Sequence, residues 1–206
     1  MPFAYREAWL AAATDHFKPD FEAHGYPLPE RLRITYGWPS KGALALKART
    51  IGECWHPKAS ADGAVEIFIS PFLADPVEVE TTLVHELVHA AVGNECGHKG
   101  PFKWLALQLG LEGPMRSTPA GTQLTARLNA LCNQLGPYPH ATLDAKASDR
   151  KKQSTRLLKC ECLVCGYTVR ITQKWIDEVG LPVCPNDTHP HAKLARTQTI
   201  RGEIGE

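Results

Sequence analysis

The order of patterns in this 206-residue chain predicts an α+β fold with a small metal-dependent module near its C-terminal end. Three observations carry that prediction. Alternating segments that suit half-buried strands gather between residues 31 and 70. Stretches with apolar residues every three or four positions follow between 75 and 136, and four of the seven cysteines fall between 160 and 184 beside histidines. Strands and helices in blocks give a sheet packed on helices, while clustered thiols read as metal ligands.

Residues 4–24 place Ala4, Ala8, Leu10, Ala11, Ala12 and Phe17 on one side of an amphipathic helix that GYPLPE then breaks. RLRITYGW alternates as a strand, and GALALKARTIGECW supplies one or two more. VEIFIS, residues 65–70, has the clearest alternation and ends at Pro71. The next helix has a marked start: Asp75 suits the N-cap, Pro76 the first helical position and Glu78 the capping-box position. Val79, Leu83, Leu87 and Ala90 form its stripe, and Gly93-Asn94 ends it. Further helices are predicted from Pro101 to near Gly110 and through Leu124, Leu128, Leu131 and Leu135, the last closed by Gly136-Pro137. The predicted organisation is a domain over 1–140, a basic linker over 141–157, a cysteine module over 158–195 and a tail over 196–206.

The composition, 43% hydrophobic and 22% charged, is that of a water-soluble globular protein, and no run approaches the ~20 apolar residues that cross a bilayer. The first residues lack a basic start followed by a hydrophobic block, so no secretory signal and no membrane partner are expected. A cytoplasmic location follows, at the nucleoid in a bacterium or in the host cytoplasm for a virus. The net charge of +1 hides an asymmetry: residues 1–145 hold 12 basic against 15 acidic side chains, and residues 146–206 hold 11 against 7. A basic C-terminal part is suited to a polyanion, or simply to water.

The segment VHELVHAAVGNECGHKGPFKW, residues 84–104, carries the chemistry. On a helix, His85 and His89 project from one face, one turn apart, and both can hold a single zinc at ~2.0–2.1 Å. Glu86 lies beside them, where it can reach a water activated by the metal and serve as general base. A catalytic zinc commonly takes three protein ligands, so the chain must turn back; Gly93 and Asn94 permit the reversal, and His98 is the first histidine after it. Glu95 is a rival for that third place. His16, His24, His56 and His140 have no partner spacing and are expected to be structural or exposed. Cys54, Cys96 and Cys132, standing apart, are expected to pack as small core residues.

HELVHAAVGNECGHKGPFKWLALQLGL resembles the SprT-like family of zinc metallopeptidases, which includes the Spartan proteases: HExxH on one helix, a third histidine in a Gly-His segment and a Phe shortly after. EIFISPFL is similar to that family's lead into its active-site helix. The resemblance spans roughly residues 5–195 and implies a minimal zincin, a small sheet packed on helices. The third histidine is not at the metzincin spacing HExxHxxGxxH. The implied activity is zinc-dependent endopeptidase action on DNA-associated proteins, with Glu86 moving the proton from water to the leaving amine. An extended substrate would align on a sheet edge, and VEIFIS is the candidate edge. No residue is assigned to stabilise the oxyanion.

In KCECLVCGYTVRITQKWIDEVGLPVCPNDTH, Cys162-x-x-Cys165-Gly is a zinc-knuckle spacing and Cys184-Pro opens a second. Cys162, Cys165, Cys184 and His189 form the preferred closed site for a structural zinc; Cys160 competes with His189, and His191 is a further candidate. SprT-like proteins often end in a zinc ribbon, in line with this tail. So small a segment needs its ion to fold. Lys146, Arg150, Lys151, Lys152, Arg156, Lys159, Arg170 and Lys174, near Tyr167 and Trp175, suit phosphates and unpaired bases, so single-stranded or junction-containing DNA is the expected partner beside protein substrates. The competing function is a DNA-binding regulatory or scaffold protein that keeps the zinc without proteolysis. The intact Glu86 argues against it, because a structural site needs no general base.

Overall fold

A computed structural model describes residues 3–45, 47–144, 147 and 157–196. The chain divides into two compact units, Met1–Ser148 and Asp149–Glu206. Among the described residues there are five α-helices and two three-stranded sheets, a mixed α+β protein.

The first unit begins with α1 (Arg6–Ala23), which buries Trp9, Leu10, Ala13, Phe17 and Phe21. Its sheet contains β1 (Leu32–Tyr36), β2 (Gly52–Trp55) and β3 (Val65–Ile69) in the order β1-β3-β2. β1 runs parallel to β3 and β2 antiparallel to it. VEIFIS is therefore the centre of the sheet and not its edge. The alternation that marks it, with Val65, Ile67 and Ile69 buried, reports one covered face and carries no information about lateral neighbours. The outer strand on the side of the functional helix is β2.

Among the described residues of GALALKARTIGECW, only Gly52–Trp55 forms a strand. Gly42, at φ 67°, opens a turn instead, and its carbonyl accepts from the amides of Ala45 and Thr50. Three helices complete the unit: α2 (Pro76–Val92), α3 (Pro101–Gln108) and α4 (Thr122–Leu135). α2 is the hub. Val79, Leu83, Val84, Leu87 and Val88 are all fully buried, against partners that include Ile67, Ile69, Phe102, Leu105 and Leu128. At roughly 1.5–3 kcal/mol for each large apolar side chain removed from water, this helix is fixed by its packing. After α4, His140 Nε2 lies 3.0 Å from the Pro71 carbonyl and 3.3 Å from the Tyr36 hydroxyl, a structural role.

The second unit contains β4 (Leu157–Glu161), β5 (Thr168–Thr172), α5 (Gln173–Val179) and β6 (Ala195–Arg196), with β4 between β5 and β6. Its buried core consists of Cys160, Cys162, Cys184 and Leu194. The greater part of the predicted linker, including Lys146, Arg150, Lys151, Lys152 and Arg156, and the tail beyond Arg196 lie outside the described residues. No described helix is long and apolar enough to cross a membrane.

Candidate metal centres and cleft

The first site is built on α2. Asp75 caps the helix by accepting the Glu78 amide at 3.0 Å, and Pro76 occupies the first turn. The buried stripe then fixes the rotation of the helix and points His85 and His89 to one side. Gly93, at φ 83°, takes the chain out of the helix, its amide bonding to the His89 carbonyl at 2.9 Å. Turns at Gly97 and Lys99 return His98 to the same place.

The three imidazoles converge through their Nε2 atoms, 3.3 Å between His85 and His98 and 3.2 Å between His89 and His98. A tetrahedral ion with ligand arms of ~2.0–2.1 Å has ligand-to-ligand edges of about 3.3 Å, so this donor set fits one ion at its centre. The group could hold a metal ion. Phe102, fully buried on α3, packs on all three rings with centroids 5.0, 4.3 and 4.9 Å from His85, His89 and His98. Thr118 Oγ1 lies 2.8 Å from His85 Nδ1 and so turns Nε2 of that ring inward. His89 Nδ1 is buried without a partner among the described residues, and Phe102 holds that ring by packing.

Burial depresses the basicity of His85 to about 4 and of His89 to about 3; burial, then Arg116, lowers that of His98. All three are thus neutral at pH 7, the form that binds metals. Glu95, the rival ligand, is exposed and pairs with His56 at 3.0 Å; it is not part of the group.

Glu86 is 6% exposed, and its carboxyl is pushed up to about 8 by burial and by the charge of Glu53. It lies against Gly52: a Cβ built there would come within 2.5 Å of Glu86 Oε1 and 2.7 Å of Thr82 Cγ2. Only glycine lets β2 pass this close. Ile51 O accepts from Ser70 N on the β3 side, whereas Cys54 O accepts from Asn94 Nδ2 at 2.9 Å. Alternation along the strand then turns the Gly52 backbone outward as well.

A cleft of about 1360 Å³ opens over the three histidines and Glu86, lined also by Gly52, Glu53, Arg116 and Thr118. Gly52, Thr118 and Arg116 were not singled out from the sequence. Each enters through a contact across the fold, and Thr118 has only an ordinary threonine in a polar loop as its local signature.

In the second unit, Cys165 Sγ lies 3.6 Å from Cys184 Sγ, and His189 Nε2 lies 3.7 Å from Cys162 Sγ and 3.6 Å from Cys184 Sγ. A tetrahedron with thiolate arms of ~2.3 Å has edges of about 3.8 Å, so these four residues also form a group that could hold a metal ion. The bond to His189 lowers the Cys165 thiol to about 6, which favours the ligating thiolate. Cys160 is not in this group: it points into the small core, paired with Val169 and Arg196 across the sheet. His191 is also outside it, with Nδ1 2.9 Å from the Cys184 carbonyl. The isolated Cys54 and Cys96 pack against the main core, as expected of small apolar side chains, whereas Cys132 is half-buried outside that cluster, against the Glu80 carboxyl. Comparison with protein-family models, with curated proteins and with solved structures finds no match to this chain.

Proposed function

We propose that the first unit is a zinc-dependent peptide hydrolase of minimal zincin type, and that the second is a zinc ribbon that brings it to DNA-associated proteins. The observation that carries the reading is the convergence of three neutral imidazoles at about 3.3 Å beside a buried carboxyl that occupies no ligand position. Zinc held there supplies Lewis acidity toward a carbonyl and a water. Glu86 takes the proton from the attacking water and returns it to the leaving nitrogen. Its burial in the cleft with the three histidines, outside the ligand group itself, places it for both transfers. Thr118 keeps His85 oriented, and the outward backbone of Gly52 offers hydrogen bonds to an extended substrate.

The partner reading rests on less of the expected basic surface. Lys159 pairs with Glu161 at 2.6 Å and Lys174 with Glu178 at 3.7 Å. Arg170 is exposed, and Tyr167 and Trp175 expose 43% and 50% of their surface, enough for stacking with bases.

The test is cleavage of a DNA-binding protein, with and without single-stranded DNA, by the zinc-loaded wild type and by Glu86→Gln. The wild type should cleave, and the variant should retain its zinc while losing at least about a hundredfold in rate. Equal rates reject the assignment.

A further inference from the structure

The cleft has a cation with nothing to do. Arg49, which also lines it, is engaged: its Nε donates to Ala45 O at 3.2 Å, and its guanidinium stands 3.5 Å over the Phe72 ring. Arg116 is different. It is exposed, lines the same cleft and has no hydrogen-bond or ion-pair partner among the described residues.

Its backbone is nonetheless well held. The loop carrying it turns through Ser117 N to Pro114 O at 2.8 Å, closes through Glu112 N to Pro119 O at 2.9 Å, and is fastened by Gly121 N to Gly110 O at 2.8 Å. Thr118, two residues on, bonds directly to His85. A fixed loop tied to one of the three histidines thus presents a free guanidinium to the cleft. The carboxylates of Glu53 and Glu86 and the three histidines line the same cleft.

We propose that Arg116 is a catalytic residue that stabilises the anionic oxygen formed when the substrate carbonyl is attacked. This inference rests on the hydrolase reading above. In the step it serves, the water oxygen bonds to the carbonyl carbon, the carbonyl π pair moves onto its oxygen, and the water proton goes to Glu86. The C–N bond then breaks, the pair on oxygen re-forms the carbonyl, and Glu86 returns the proton to the leaving nitrogen. The guanidinium donates to the oxygen only while it is negative, so its effect belongs to the transition state. Arginine suits the task because it stays charged and offers several donors.

The experiment compares wild type, Arg116→Ala and Arg116→Lys in the full zinc-loaded chain. It reads zinc content, steady-state cleavage of an unfolded casein, and calorimetric affinity for two probes, a phosphinic pseudo-peptide that mimics the tetrahedral anion and a peptide hydroxamate with no tetrahedral centre. For Arg116→Ala, the expected result is unchanged zinc, kcat reduced by roughly 10²-fold with KM within about threefold, and phosphinate affinity reduced at least about tenfold with hydroxamate affinity unchanged. Arg116→Lys should recover part of both losses. Unchanged kcat and phosphinate affinity in Arg116→Ala overturn the inference while leaving the hydrolase intact. Equal loss of both probes, or loss of zinc, also overturns it by giving Arg116 a binding or structural role. If the wild type cleaves nothing and binds neither probe, the hydrolase reading fails and the inference falls with it.

Discussion

At the scale of single residues, Gly52 and Glu80 make the sharpest predictions. Alanine at position 52 would push its methyl into Glu86 and Thr82, and the edge strand would have to move away from the helix. Gly52→Ala should keep its zinc, because the atoms its methyl meets first belong to Glu86 and Thr82 and not to the three histidines, yet lose roughly tenfold to a hundredfold in peptide cleavage as Glu86 shifts; metal analysis beside a cleavage assay checks both. Glu80 on α2 is fully buried with its carboxyl against the Cys132 thiol, and burial raises it to about 7 from the ordinary 4.5 while the contact with Cys132 opposes the rise. The folded chain then retains a proton that the unfolded chain releases between about pH 4.5 and 7, so the Glu80 contribution to stability falls as pH rises through that window and is flat above it. The full difference is on the order of 3 kcal/mol. Urea midpoints measured from pH 4.5 to 8 should show that decline in the wild type relative to Glu80→Gln, and parallel curves for the two proteins would refute it.

At the scale of elements, the local grammar of α2 could be read directly. Asp75, Pro76 and the 3.6-residue repeat are contained in one segment, and the same repeat puts His85 and His89 on one face. His98 was readable because glycines before and after it announce the chain reversal. What could not be read depends on distant pairing. β3 looks identical as an edge or a centre strand until its neighbours are known, and Thr118 is recognisable as a support for His85 only once a loop 33 residues away has folded against it. Cys160 and His189 illustrate the same limit in the second unit: only the folded chain brings the His189 ring to Cys162 and Cys184 and leaves Cys160 outside the group. That support has a measurable value. Thr118→Val keeps the shape but removes the oxygen, and zinc affinity by competition with a chromogenic chelator should weaken roughly 10–100-fold with little change in helix content.

At the scale of the whole molecule, the two units should depend on metal to different degrees. The first has an extensive apolar core; the second buries three cysteines and one leucine at its centre. The intact chain should bind two zinc ions, and His85→Ala one. Strong chelation should expose residues 157–196 to limited proteolysis while the helical signal of the first unit persists; resistance of both units would show that the second unit stands without an ion. The capture of the Cys54 carbonyl by Asn94 has one more effect. With that acceptor occupied, the Gly52 backbone is what the edge still offers an arriving polypeptide, a short footing that would hold it only briefly. On the hydrolase reading proposed above, turnover should then be governed by how long a substrate is kept in the neighbourhood, with tethering, rather than a preferred residue, setting the choice.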